Sequence, residues 1–391
     1  MTSVLGDIDY ATFLKDYWQK KPCLIRGAYP DTRGFISREE LAGLSLESGL
    51  ESRLVIEKAG EHPWQVLQGP FRAQSFKSLP PTHWSLLVQG VERVSPHASA
   101  LLDDFRFLPN WRLDDVMISY APDQGSVGPH VDNYDVFLIQ AAGRRLWKIS
   151  AEAWPQNDFI PGLDLKILKS FTPTIEWTVA PGDMVYLPPR WGHHGIALGS
   201  SITYSIGFRA PDHKEIVAGF ASFAADLIAG DWHYADPDLK LQMHPGEIAS
   251  TTFERLEQIL ATYLQDGDAL RNWFGMYITE PKSDAVVRRP EEPYDSATIV
   301  ARLQGGEGLS RTEGGRIAYV TSLSSGIALY ADGNAFTLPR GALDFVILLS
   351  ERKRLACTDL TPFLSSETCR ESLVILVNEG FLFFAADWED A

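Results

Sequence analysis

Up to about residue 212 the chain is a succession of short alternating apolar runs broken by turn signals, and from His213 the apolar period lengthens to three and four. No single layer of regular structure accommodates both periods. The first part therefore reads as an antiparallel β architecture with a few helices around it, and the next as helix. The helical exception in the first part is its beginning. Asp9-Tyr-Ala-Thr-Phe13-Leu14-Lys-Asp-Tyr17-Trp18 has an acidic cap and apolar residues three and four apart, Pro22 ends it, and Cys23-Leu-Ile-Arg is the expected first strand.

After His213, Ile216, Val217, Phe220, Phe223, Ala224, Leu227 and Ile228 form one amphipathic series, and Phe253, Leu256, Ile259, Leu260, Tyr263 and Leu264 another. Two helices so close in sequence make too thin a segment to stand alone. A second copy of the chain is the favoured cover for their apolar faces, with packing inside one chain as the alternative. Arg288-Arg-Pro-Glu-Glu-Pro293 reads as a linker. Beyond it come strands Arg316–Thr321, Gly326–Tyr330 and Ala335–Leu338, with Asp332-Gly333 as a turn. Helices 342–349 and 367–378 follow, and a strand begins at Phe381. This order suggests a small winged-helix-like α+β module. The expected organisation is 1–212 (β), 213–287 (helical, dimerising) and 288–391 (winged-helix-like). The module's basic run is Arg352-Lys353-Arg354 and it ends in Asp387-Trp-Glu-Asp-Ala, so it is assigned to protein contacts or stability rather than DNA.

Charge narrows the partners. Among 391 residues, 35 Lys and Arg face 51 Asp and Glu, a net charge of −16. Nucleic-acid binding by phosphate contacts needs the opposite sign, whereas basic proteins are attracted. The three cysteines, Cys23, Cys357 and Cys369, form no C-x-x-C pair, which points to a reducing compartment and against a cysteine metal site. An acidic start and the lack of an apolar run near ~18 residues point to a soluble, cytoplasmic chain without membrane contact.

Two histidines and one carboxylate on one face can hold a first-row metal while leaving positions open for dioxygen. His130-Val-Asp132 is a candidate pair, since residues i and i+2 of a strand share a side. The other His-x-acid pair, His213-Lys-Glu215, opens a helix, where i and i+2 diverge by about 200°. Gly125-Ser-Val-Gly-Pro129 precedes His130, and Tyr134–Gln140 continues as a buried strand. Ala180-Pro-Gly-Asp183 turns into the strand Met184–Leu187, after which Pro188-Pro-Arg-Trp-Gly delivers His193-His194. One of these two is the expected third ligand, from a strand that a closed double-sheet β-barrel brings across the mouth. Arg145, past an expected Ala142-Gly143 turn, shares its strand side with Trp147 and Ile149. A guanidinium so placed needs an anion, either a carboxylated cosubstrate or an internal acid.

Several segments together resemble the JmjC-type ribosomal oxygenases: Phe13-Leu-x-x-Tyr17-Trp18-x-x-Lys21-Pro22, Gly128-Pro-His-Val-Asp132-x-Tyr134-Asp-Val-Phe137, Gly143-Arg-Arg-x-Trp147, Leu187-Pro-Pro, His193 and Tyr204-Ser-x-Gly-Phe-Arg-Ala-Pro211. The resemblance is to the bacterial branch that hydroxylates an arginine of protein sixteen of the large ribosomal subunit. It implies a JmjC/cupin double-stranded β-helix, a helical dimerisation segment giving a homodimer, and a C-terminal winged helix. It also implies Fe(II), 2-oxoglutarate and O2, with succinate and CO2 as products and a basic large-subunit ribosomal protein as partner. By motif, His130, Asp132 and His193 would bind Fe(II), and Arg145 would hold the distal carboxylate with Thr203 and Ser205 beside it. Thr203 stands where the family usually has Asn. Because His194 adjoins His193 on an extended segment, it should face the other way. Tyr134 and Asp123 are the candidates to meet a substrate guanidinium. The competing expectations are histidine hydroxylation or lysine demethylation of another basic protein, a cupin-like binding module without turnover, and a scaffold on the ribosome.

Overall fold

The computed structural model describes residues 3–58, 64–153, 159–163, 165–281 and 288–387. The acidic tail beyond Asp387 lies outside the described residues. The chain forms two compact units, Met1–Ala210 and Pro211–Ala391. The second unit takes in both segments expected after residue 212.

In the first unit Asp9 caps α1 (Tyr10–Asp16), its carboxylate accepting from the Thr12 N–H and hydroxyl. Helices α2 (Arg38–Leu44), α3 (Ala73–Lys77) and α4 (Pro96–Leu101) follow. The strands are β1 (Cys23–Ile25), β2 (Ser52–Glu57), β3 (Trp64–Gln68), β4 (Trp84–Val88), β5 (Leu113–Ala121), β6 (Val136–Ala153), β7 (Pro173–Val179), β8 (Met184–Leu187) and β9 (Trp191–Phe208). They form one sheet in the order β1-β8-β6-β9-β5-β4-β2-β3, with β7 added on β6. One face packs Ile118, Phe137, Ile139, Tyr204 and Ile206 around Phe13 of α1. The other carries Val136, Leu138, Trp147 and Ile149.

Residues of β2, β4, β5, β6 and β9 line a single cavity, so the sheet curls around it. The expected double-stranded β-helix is present as this curled sheet. Among the described residues β1 pairs over three residues with β8, β3 pairs with β2, and these two strands are the ends of the ladder.

The long strand β6 runs straight through the expected Ala142-Gly143 turn. Its register with β9 shifts between Gln140 and Ala142 and again between Ala142 and Arg144. Gly143 adopts φ +66°, and a Cβ there would lie 1.8 Å from the Ser200 carbonyl oxygen, so the bulge requires glycine. Its consequence is a change of phase. Leu138 and Gln140 face Ser205 and Thr203 of β9, whereas beyond the bulge the odd-numbered Arg145, Trp147 and Ile149 face Ala197, Gly195 and His193. A bulge, rather than a turn, brings Arg145 to the cavity.

In the second unit Asp212 caps α5 (His213–Asp226) in a reciprocal box with Glu215, which gives the second His-x-acid pair a purely helical role. It continues with α6 (Ser250–Leu264), α7 (Gly267–Thr279) and α8 (Ser296–Gln304). The sequence reading passed over α7, which Asp266 caps by accepting from the Asp268 and Ala269 N–H groups. Its Trp273 packs on Phe220 of α5, and its Met276 packs on Tyr330 of β12 below. The helical segment and the strands that follow therefore share one unit.

Those strands are β10 (Leu309–Arg311), β11 (Ile317–Leu323), β12 (Gly326–Ala331), β13 (Asn334–Leu338), β14 (Arg354–Leu355) and β15 (Leu382–Phe384). They are interleaved with α9 (Leu343–Glu351), α10 (Cys357–Leu360) and α11 (Glu367–Asn378). They make two three-stranded sheets, β14-β10-β15 and β11-β12-β13. Asp332 and Gly333, at φ +44° and +82°, make the expected β12–β13 turn. Among the described residues no helix is long and apolar enough to cross a membrane.

Candidate metal centre

His130 is held by an isolated antiparallel bridge to His193, whose N–H and C=O it meets at 2.9 and 3.0 Å. The pair His130-Val-Asp132 is thus not on a regular strand as the spacing suggested. After one bridge residue the ladder pairing stops, and Asp132 is fixed instead by its carbonyl, which accepts from the Arg190 N–H. The three side chains nevertheless converge. Asp132 Oδ2 lies 4.0 Å from His130 Nε2 and 3.5 Å from His193 Nε2. Donors bound at about 2.1 Å to one first-row ion lie up to about 4.2 Å apart, so both separations fit a shared metal.

The opposite ring nitrogens fix the tautomers. His130 Nδ1 donates to the Gly128 carbonyl and His193 Nδ1 to that of Trp191, both at 2.9 Å, leaving each Nε2 lone pair for a metal. Burial, then the neighbouring His130, pushes the His193 pKa down to about 4, keeping the ring in its ligating neutral form. His194 faces away, its Nε2 2.8 Å from the Ser126 hydroxyl, which also accepts from the Gly128 N–H. It steadies the loop before His130.

Deeper in the cavity sits Arg145, 5% exposed. Its Nε reaches the Ser201 hydroxyl at 3.4 Å, and among the described residues its Nη2 has no partner. Burial lowers its pKa to about 10, so it is still charged at neutral pH. Among the described residues no carboxylate pairs with it, which removes the internal-acid reading. The indole Nε1 of Trp147, on the same strand side, is also buried without a partner. Gly195 opposite leaves the ring its room, since a Cβ there would meet it at 2.6 Å. Two orphaned donors in one cavity call for an anion with several acceptor atoms. Thr203 and Ser205 line the same wall, and the Thr203 hydroxyl donates to Gln140 Oε1 at 3.1 Å.

Tyr134 lies at the rim, its hydroxyl pKa raised first by the charge of Asp132 and then by burial. Asp123 does not reach the cavity. Its carboxylate accepts from the Gly199 N–H at 2.8 Å and serves the β9 backbone, so it is withdrawn as a substrate contact. The carboxylate the sequence reading missed is Asp115, which lines the cavity from β5 together with Met117 and Ser119. The alternation Asp115, Met117, Ser119 was its signal.

Comparison with known proteins agrees with this geometry. A JmjC-domain family model matches residues 100–216 and a ROXA-like winged-helix model residues 262–383. The chain is 36% identical over 378 residues to the ribosomal protein uL16 3-hydroxylase of Escherichia coli (strain K12), covering 96% of this chain and 98% of that one. It is 33% identical over 275 residues to a probable ribosomal oxygenase of Haemophilus influenzae, covering 67% and 66%. Among solved structures, E. coli YcfD superposes with a TM-score of 0.87 at 35% identity, covering 97% of this chain and 98% of YcfD. YcfD in complex with cobalt and 2-oxoglutarate gives a TM-score of 0.84 at 34% identity over the same shares.

Proposed function

This chain belongs to the JmjC-domain ribosomal oxygenases, and from that premise we propose that it hydroxylates an arginine side chain of a large-subunit ribosomal protein, using Fe(II), 2-oxoglutarate and O2. The observation that carries the reading is the pairing, in one cavity, of a His-Asp-His cluster with a buried guanidinium that lacks an anion. Bound iron with its cosubstrates supplies the oxidant for an unactivated carbon, with succinate and CO2 as co-products. The chain's own residues bind and orient. His130 and His193 offer Nε2 and Asp132 its carboxylate. Arg145 holds the distal carboxylate of 2-oxoglutarate, with the Trp147 indole N–H and the Ser205 hydroxyl as further donors, while Thr203, its proton committed to Gln140, shapes the wall beside them. Burial strengthens these contacts. At the rim Asp115 meets the guanidinium of the substrate and Tyr134 flanks it. The net charge of −16 favours a basic protein over nucleic acid as partner.

The remaining architecture follows the same proposal. Residues 1–212 are catalytic, 213–287 dimerise and 288–391 form the winged-helix-like part, in a cytoplasmic homodimer. What supports the dimer is α6, which buries none of its residues and exposes Phe253, Leu256, Ile259, Leu260 and Leu264.

The test is incubation of the purified protein with Fe(II), ascorbate, 2-oxoglutarate and a panel of ribosomal-protein peptides, read by mass spectrometry. One added oxygen on an arginine of a large-subunit peptide, matched by succinate, supports the reading. Oxygen on histidine, demethylation of lysine, or no turnover with any peptide contradicts it.

A further inference from the structure

The wall that carries Asp115 is irregular. Leu113 pairs with Phe208 of β9 and Val116 with Ile206, so Asp114 and Asp115 together oppose the single residue Gly207. This one-residue bulge lets Leu113 and Val116 both pack toward the core while Asp115 stays in phase with Met117 and Ser119 on the cavity side. Gly207 completes the fit, since a Cβ there would lie 3.0 Å from Asp115 Oδ1.

A bulge opens the ladder and needs another hold. On the other flank of β5, strand β4 leaves the sheet after the pair Val88–Ile118. In its place Glu92, from the short 3-10 turn Val91–Arg93, accepts the Val116 N–H on Oε2 at 2.8 Å. The side chain belongs to a residue only 6% exposed, an uncommon position for a carboxylate. Burial first, and the nearby charge of Asp115 with it, raises its pKa to about 7. Nothing in the proposed chemistry uses this buried acid, yet the N–H it holds belongs to the first residue after the bulge.

We propose that Glu92 is a positioning residue: by holding the Val116 N–H it fixes the β5 bulge that keeps Asp115 in the cavity, and so sets how tightly the substrate's cationic side chain is held. This rests on the reading that Asp115 meets that side chain, and the two ideas separate in a double-mutant cycle.

Steady-state hydroxylation of a substrate peptide is measured for Asp115→Ala, Glu92→Ala, Glu92→Gln and the double alanine variant. Asp115→Ala should raise the peptide KM by about 10- to 50-fold, the loss expected of a charge-assisted hydrogen bond. Glu92→Ala should raise it about 5- to 10-fold without moving the 2-oxoglutarate KM. Glu92→Gln, whose amide oxygen still accepts from Val116, should restore the peptide KM to within about twofold of wild type. In the Asp115→Ala background Glu92→Ala should add nothing. A Glu92→Ala peptide KM equal to wild type, or an effect that multiplies in full on Asp115→Ala, overturns the inference. An unchanged KM in Asp115→Ala overturns the reading beneath it and the inference with it. If Glu92→Ala does not fold, Glu92→Asp, which retracts the acceptor by one methylene, replaces it under the same expectations with a smaller rise.

Discussion

In the first unit what is unsatisfied lies inside. Among the described residues the buried polar atoms without partners are Arg112 Nε, Arg145 Nη2 and Trp147 Nε1, all before residue 211. In the second unit the interior is apolar, built on Phe345, Leu349, Leu373, Leu376 and Phe384, and what is unsatisfied lies outside, on the bare apolar stripe of α6. The contrast teaches two kinds of incompleteness. An orphaned donor beside a cavity specifies a small ligand by charge and atom count, whereas an uncovered apolar stripe specifies only that something broad lies over it. Arg112 shows that not every orphan marks a ligand. Its Nη2 pairs with the buried Asp135 at 2.9 Å, and its guanidinium lies over the Trp18 and Trp111 rings, away from the cavity.

The comparison breaks first at the metal. His130→Ala or Asp132→Ala should lower succinate release coupled to peptide by about 10³-fold or more, with the melting temperature of the metal-free protein within about 4 °C of wild type. A smaller loss would mean that the cluster is not where the chemistry occurs. Next comes the anion. Arg145→Met should weaken 2-oxoglutarate binding about 100-fold while leaving the ligand-free protein as stable or more so, because it removes an unpaired buried charge. Calorimetric binding and a thermal melt of the same sample read both.

The outer face is the third. Leu256→Asp with Leu260→Asp should convert a dimer to a monomer by light scattering over a range of concentrations, and a wild type that is monomeric throughout would end the proposal for α6. The smallest effect concerns Asp332, whose pKa burial raises to about 7 from the usual 3.8. The unfolded chain releases that proton first, so this group costs stability as pH rises from about 4 to about 7. Asp332→Asn should shrink the fall in melting temperature between pH 5 and pH 8 by about 2–4 °C.

Much of this was legible from residue types and spacing, and the misses share a cause. Local signals read well. Asp9 caps α1, Met184–Leu187 is β8, Asp332-Gly333 turns β12 into β13, and 367–378 is α11. The His-Asp-His cluster was legible because its residue types are rare together, although His130 sits on an isolated bridge rather than in a regular strand. The bulges were not. Strict alternation assumes an unbroken ladder, and a one-residue slip at Gly143 or at Asp114–Asp115 changes which side chains enter the cavity without leaving a period in the sequence. That is why Arg145 reaches the cavity past a bulge where the spacing suggested a turn, and why Asp115 on the cavity wall is passed over for Asp123, which does not line it. Helix α7 is hard to see in the sequence because its cap, Asp266, follows the last residue of α6 by only two positions, so the apolar series of the two helices run together.

The central claim is that one cavity holds a metal and a dicarboxylate together, and equilibrium binding of 2-oxoglutarate to the protein loaded with redox-inert Mn(II) tests it most directly. One molecule should bind per chain, with binding sharply weakened by Asp132→Ala, which removes the metal, and separately by Arg145→Met, which keeps it. Equal affinity in wild type and both variants would place the dicarboxylate elsewhere and contradict the account.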